Sequence, residues 1–253
     1  AQPRKTNIIY DAEEYEIEEE EAEDYPVHLF FTKEGYFKKV TAQSLRMSGD
    51  HKFKEGDSLL IALESSNNKE LLFFSDKSQV YKSRASDFEE TKISLLGDYI
   101  PSKLDMEPGE NAVYMAVTSD YSGYMLFFFE NGKIAKIDMA SYETKTNRKK
   151  LINAYSSKSK LVAAMQIAED CDLVVRSTAG RVLLFNTGAI TPKTTKDAAG
   201  VSLMTLKKGH TLESVRPYRE GEFAKPYRYK TKNLPSAGAL LSAEDQGEQL
   251  KID

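Results

Sequence analysis

The sequence predicts an all-β chain of propeller-like blades, about four of them, set around a common axis. Three observations carry this. The hairpin pattern "HLFFTKEGYFKKV" (28–40) returns three times, the same columns stay apolar in each copy, and a tight turn leading into an apolar strand trails every copy. Repeats of roughly fifty residues with about four strands each are the mark of blades, because one such unit cannot bury its own faces and must stack on neighbours.

The first element, 28–40, reads as two strands joined over Lys33, Glu34 and Gly35, with the glycine supplying the positive φ of the turn. Its copies are "LLFFSDKSQVYKS" (71–83), "MLFFFENGKIAKI" (125–137) and "DLVVRSTAGRVLLF" (172–185). They align on Gly35, Ser78, Gly132 and Gly180, in steps of 43, 54 and 48 residues. Six residues before the turn stand Leu29, Leu72, Leu126 and Val174; five before it, Phe30, Phe73, Phe127 and Val175; two after it, Phe37, Val80, Ile134 and Val182. These columns are the buried faces of repeated strands. Four residues after the turn the column turns basic, with Lys39, Lys82, Lys136 and then Leu184. Alternation puts these lysines on the face of the apolar column two before them. The expectation is an ammonium carried to the rim of the blade on an apolar stem.

The second element trails each hairpin: "KFKEGDSLLIAL" (52–63), "DMEPGENAVYMAV" (105–117), "YSSKSKLVAAMQI" (155–167) and "TLKKGHTLESV" (205–215). Blades are thereby expected at 26–66, 67–119, 120–169 and 170–217, after an acidic leading arm at 1–25. Residues 218–253 read as a tail, expected to return one strand that closes the ring.

The formal net charge of −4 conceals two parts. Residues 11–24, "DAEEYEIEEEEAED", hold ten carboxylates and no base, which leaves 29 acidic against 35 basic residues, a net of +6, on the rest. The arm is either a solvated linker or an internal competitor for a basic surface. No apolar run reaches the ~18 residues of a membrane span and no signal peptide opens the chain, so a cytoplasmic address and no membrane partner are expected. The single Cys171 excludes an internal disulfide framework. His28, His51 and His210 have no metal spacing, and no Walker or dinucleotide loop is present, so no catalytic residue, metal site or cofactor is assigned.

The connectors between hairpin and trailing strand are basic and hydroxyl-rich. "DMASYETKTNRKK" holds Lys145, Arg148, Lys149 and Lys150; "NTGAITPKTTKDAAG" holds Lys193 and Lys196; "YKSRASDF" holds Lys82 and Arg84. Cations beside small hydroxyls suit sequence-independent phosphate contacts, and nothing here resembles a recognition helix. A propeller-like scaffold that binds protein partners is the alternative, and an enzyme using a propeller's axial channel is a third reading.

The unit "LLFF", turn, "V-x-K", basic connector, then "L-x-x-G-(D/E)" resembles the blades of the C-terminal domain of bacterial type IIA topoisomerase A subunits, those of DNA gyrase and topoisomerase IV. "LLFFSDKSQVYKSRASDF", "KISLLGDYIPSKLDMEPGE" and "TKDAAGVSLMTLKKGHTLESV" carry it best, and "PRKTNIIYDAEEYEIEEE" is similar to the family's passage out of the breakage-reunion core. The resemblance implies a β-pinwheel whose positive rim binds and bends duplex DNA without reading sequence. It implies as partners an ATPase B subunit, together with the remainder of the A subunit, on the bacterial nucleoid, with ATP and magnesium used elsewhere in the holoenzyme. The implied DNA contacts are Lys38, Lys39, Arg46, Lys82, Arg84, Lys136, Lys145, Arg148, Lys149, Lys150, Lys193 and Lys196. The gyrase heptapeptide Gln-Arg-Arg-Gly-Gly-Lys-Gly is replaced by "TAQSLRMSGDHKF", in which Arg46 and Gly49 alone suggest it. That departure and the four units imply a topoisomerase IV-like rather than gyrase-like domain.

Overall fold

A computed structural model describes residues 22–249 except 48 and 147. The acidic run thus falls almost wholly outside the described residues. The first hairpin joins β1 (Pro26–Thr32) to β2 (Tyr36–Val40), with Phe31 opposite Phe37. Gly35 makes the turn at φ +90°, a conformation a side chain would strain. A short helix α1 (Ala42–Met47) follows, and β3 (Leu59–Ser66) then pairs with the free edge of β1. These three strands belong to blade one.

Blade two opens with β4 (Glu70–Ser75) and β5 (Val80–Arg84). Its connector carries a 3-10 turn (Ala85–Asp87), the strand β6 (Asp98–Tyr99) and one helical turn, α2 (Ile100–Lys103). β6 does not join its own blade but pairs back onto β2, and β7 (Ala112–Thr118) then covers the edge of β4. In blade three, β8 (Tyr124–Phe129) and β9 (Lys133–Asp138) form the hairpin, β10 (Lys150–Leu151) pairs back onto β5, and β11 (Leu161–Ile167) trails. In blade four, β12 (Asp172–Ser177) and β13 (Arg181–Asn186) are followed by β14 (Val201–Ser202) on β9 and by β15 (Leu212–Pro217). The tail supplies β16 (Ala239–Leu240) to β13 and ends in α3 (Ala243–Gln249).

The result is four four-stranded antiparallel sheets, ordered β3-β1-β2-β6, β10-β5-β4-β7, β11-β8-β9-β14 and β15-β12-β13-β16. Each contains three strands of one repeat and a two-residue strand given by the segment that follows, the next repeat in three sheets and the tail in the fourth, which makes the propeller a pinwheel. The trailing strand β11 touches both β7 and β15, which places these strands toward the axis and the donated strands and connectors on the outer rim. The tail strand expected to close the ring is returned to blade four itself.

A glycine admits three of the donated strands. Gly200 stands directly before β14 at φ +80°, and a Cβ there would lie 2.4 Å from the Ile134 carbonyl oxygen. Gly97 before β6 and Gly238 before β16 meet the carbonyls of Phe37 and Val182 in the same way. The connector can therefore approach the preceding blade closely enough to pair with it because it has no side chain at that step.

The apolar columns explain how the blades stack. Leu29, Phe31 and Phe37 pack with Leu71, Phe73 and Phe88 between blades one and two. Leu72, Val80 and Phe127 pack between blades two and three, and Leu126, Ile134 and Val175 between three and four. So the columns six before and two after the turn face the next blade, whereas the column five before it faces the previous one. Near the axis, Gln166 reaches across from blade three to blade two, accepting from Val117 N at 3.0 Å and donating to Val117 O at 2.8 Å.

The two end faces are covered differently. On blade one, Phe30, Val40 and Ile93 pack with Leu45 and Leu59, and on blade four, Val174, Val182 and Leu184 pack with Phe223 and Tyr229 of the tail.

Candidate nucleic-acid interface

Between blades runs a set of buried ammonium groups. Lys39 is 3 % exposed; its Nζ donates to Asn67 Oδ1 at 2.8 Å and to the carbonyl of Ala85, in the 3-10 turn of blade two, at 3.0 Å. Lys136 is 3 % exposed and bonds Asp170 Oδ1 at 2.7 Å and the Thr187 carbonyl, in the 3-10 turn of blade four, at 3.3 Å. Lys82 does the same from blade two to three, reaching Tyr142 O at 3.2 Å and Thr144 Oγ1 at 3.1 Å. Each lysine satisfies a carbonyl that the following blade turns into the interface. The fourth blade has no such neighbour, and there the column is Leu184, packed on the tail. Burial pushes the Lys39 and Lys82 amines below their ordinary value.

Lys38 faces the other way, onto the end of blade one. Its Nζ donates to Lys52 O at 2.7 Å and Ile93 O at 2.8 Å, and it stands 5.3 Å from the Phe53 ring centroid. Sequence reasoning expected Lys38, Lys39 and Lys136 to present their charge at the rim; all three ammonium groups are instead indoors. The reason is that both flat faces of a blade are covered by neighbours, so the end of a buried face is still interior.

The Lys136 partner gives a prediction. Its hydrogen bond, with that of Thr187, holds the Asp170 carboxyl below the ordinary carboxylate value. A depressed carboxyl pKa stabilises the fold above the unfolded value, near 3.9, and that stability is lost as pH falls through the folded value. Denaturation midpoints of Asp170→Asn are expected to lie below those of the unaltered chain at pH 7 and to converge with them as pH falls below about 4 and through the folded value.

An open groove of about 490 Å³ lies on the rim between blades two and three. Lys82, Arg84, Arg148 and Lys149 line it together with the hydroxyl-bearing Ser86, Thr144 and Thr146, against two carboxylates, Glu70 and Asp87. The loop is ordered from within: Thr144 Oγ1 donates to Thr146 O at 2.9 Å, and Lys82 N donates to Lys149 O at 2.7 Å. Lys82 forms the floor, with its side chain 11 % exposed and 3.9 Å from Glu70. Arg84, Arg148 and Lys149 are exposed. Spaced cations among hydroxyl donors are the equipment for holding phosphate oxygens without reading bases.

The other sequence-predicted residues divide. Lys145 is exposed on the groove's own loop, between Thr144 and Thr146. Lys150 is turned away, 3.0 Å from Glu107, which raises its pKa. Lys193 and Lys196 lie on the connector that crosses blade three, with Lys193 exposed. Arg46 is exposed on α1, away from the groove. Sequence reasoning missed four cations of the tail, Lys225, Arg228, Lys230 and Lys232, all exposed; the density of "KPYRYKTK" was the available signal.

The family described as the DNA gyrase C-terminal domain, a β-propeller, matches residues 29–50, 69–92 and 172–219, which are the hairpins of blades one, two and four with their connectors. The A subunit of DNA gyrase from Borreliella burgdorferi is 21 % identical over 230 residues, 87 % of this chain and 28 % of that protein. The matched segments fall on three of the four repeated hairpins and resemble the gyrase C-terminal propeller. The A subunit of DNA topoisomerase 4 from Bacillus subtilis is a further relative, 25 % identical over 130 residues, half of this chain and 16 % of that protein. The chain thus spans under a third of the length of these curated relatives. In fold it matches a crystal structure of the C-terminal domain of DNA topoisomerase IV with a TM-score of 0.67, at 24 % identity over 79 % of this chain and 63 % of that one. The E. coli ParC C-terminal domain matches with a TM-score of 0.62, at 15 % identity over 86 % of this chain and 94 % of that one.

The described residues contain no group of three His, Cys, Asp or Glu placed to hold a metal ion, and no helix long and apolar enough to cross a membrane.

Proposed function

We propose that this chain is the DNA-binding and DNA-bending domain of a type II topoisomerase, carried on its A subunit, with no catalytic residue of its own. The observation that carries the reading is the groove, where Lys82, Arg84, Arg148 and Lys149 converge with Ser86, Thr144 and Thr146 on the outer rim of a gyrase-type propeller. Duplex DNA laid along that rim would be held by phosphate contacts and bent toward the protein. Bending a 20–30 bp site costs on the order of 1–6 kcal/mol, so several contacts must offset it. The ATPase B subunit, with the remainder of the A subunit, would supply cleavage, ATP and magnesium chemistry. The missing heptapeptide at 41–53 favours topoisomerase IV-like bending over gyrase-like wrapping.

The domain is expected to retard linear duplexes of unrelated sequence equally, with log affinity falling by roughly 0.9 per phosphate neutralised for each unit of log salt. Absence of binding at low salt, or binding insensitive to salt, would falsify the proposal. On relaxed circular DNA that is ligated while bound, no linking-number shift is expected; a positive shift would make the domain a wrapper of the gyrase type. Deleting residues 11–21 is expected to tighten binding most at low salt, since Ala22, the residue that follows them, stands on the wall of the basic groove. Unchanged affinity would return that run to the role of linker.

A further inference from the structure

We propose that residues 225–232 of the tail form a further duplex-DNA contact that continues the rim past blade four, while the acidic rim of blade one stays off the DNA. This rests on the DNA-binding reading above and adds residues and a polarity to it.

The tail is built as the connector of a fifth blade that the chain does not contain. The connector of blade two crosses blade one through a parallel bridge from Glu90 to Lys39, and that of blade four crosses blade three from Lys193 to Ile137. The tail makes the same bridge, Lys230 to Leu184, with Leu184 N donating to Tyr229 O at 2.9 Å and Thr231 N to Leu184 O at 3.2 Å. It then passes a glycine, Gly238, against the Val182 carbonyl, and pairs Ala239 with Val182 as a donated strand. Bridge, glycine and short strand occur in the order that they have in the connectors of blades two and four.

The segment is also held rigidly enough to present charge. Tyr229 is 1 % exposed, packs on Phe223 with ring centroids 4.6 Å apart, accepts from Ser242 N at 2.9 Å and bonds the Asp245 carboxylate. Lys230 is fixed to Asp172 at 3.0 Å. Around these anchors Lys225, Arg228 and Lys232 are exposed, and Tyr227 between them is 75 % exposed.

Because the connectors occupy equivalent places, their charges can be compared position by position. Over blade one the crossing segment carries Glu89 and Glu90, with the single cation Lys92 two residues beyond, all exposed. Over blade two it carries Arg148 and Lys149, over blade three Lys193 and Lys196, and over blade four the tail cations. A polyanion with a charge every ~1.7 Å is repelled at the first of these stations and attracted at the other three.

The test compares Lys225→Gln/Arg228→Gln/Lys232→Gln with Lys92→Gln, an exposed cation on the blade-one connector, in the full chain with random-sequence linear duplex DNA. The tail variant is expected to lower the slope of log affinity against log salt by roughly 0.9 per residue removed, and Lys92→Gln to leave it unchanged. The double variant Lys225→Gln/Lys232→Gln spares the Arg228 bond to Leu240 O and is expected to lower the slope by about 1.8, so a folding defect in the triple variant cannot mask the result. An undiminished slope in the double variant, beside an unaltered chain that binds, overturns this inference alone. Lys92→Gln losing as much per residue as the tail overturns the polarity. Absence of salt-dependent binding by the unaltered chain overturns the DNA-binding reading and this one with it.

Discussion

Lys39→Met is expected to lower the unfolding free energy by about 2–3 kcal/mol while leaving the salt dependence of DNA binding untouched. The substitution keeps the length and apolar stem of the side chain and removes its donor. Asn67 Oδ1, in a residue 6 % exposed, then loses its hydrogen bond inside the interface, and the Ala85 carbonyl keeps Phe88 N alone. Desolvation of the ammonium, which already depresses its pKa, is relieved and offsets part of the loss. For a domain of this size the change corresponds to roughly 4–12 °C in melting temperature. Calorimetry and salt titrations of the same preparation separate the alternatives. A stable variant with a reduced salt slope would mean that Lys39 reaches phosphate, against its 3 % exposure.

The opposite pattern is expected of the groove. Arg84→Gln/Arg148→Gln/Lys149→Gln removes three exposed cations and should lower the salt slope by roughly 2–3, weakening binding by about tenfold or more at low salt, with little effect on stability. Such a loss should be uniform across DNA sequences, since phosphate contacts position the duplex without reading it. If the variant weakens binding to one sequence far more than another, base contacts are present and the phosphate account fails. If it binds as the unaltered chain does, DNA runs elsewhere.

The hairpins were legible because the same columns are filled by Leu, Phe, Val and Ile in every copy, and the trailing strands because each is an apolar run led in by a tight turn. The donated strands were not legible. β6, β10, β14 and β16 have two residues each, too few for any period, and three of them are specified by backbone approach at Gly97, Gly200 and Gly238. The lysine column was read correctly as sharing a buried face, but not as staying buried. Alternation tells which side of a strand a residue lies on and says nothing of what covers that side. Lys38 shows this well: its column holds Tyr81, Ala135 and Leu183 in the later blades, where a preceding blade covers them. In blade one no blade precedes, and the covering loop offers the carbonyls of Lys52 and Ile93, which an amine can satisfy and an alkyl chain cannot. The groove was legible as composition, since its cations lie in two basic connectors, whereas their meeting between blades two and three depends on the backward crossing of the connector.

Handing a strand backward to the preceding sheet offsets the unit of sequence from the unit of structure. Each repeat after the first is stitched into two sheets at once, so a whole repeat spliced in at a later hairpin would arrive with a strand for the blade before it and an edge awaiting a strand from the blade after it. Blade number can then grow or shrink in steps of one repeat without leaving an unpaired edge, provided the terminal segment that closes the last sheet is retained. In this chain that segment is the stretch from Gly238 to Leu240, and a truncation before it would expose the end of β13 as an open edge for another molecule to pair with.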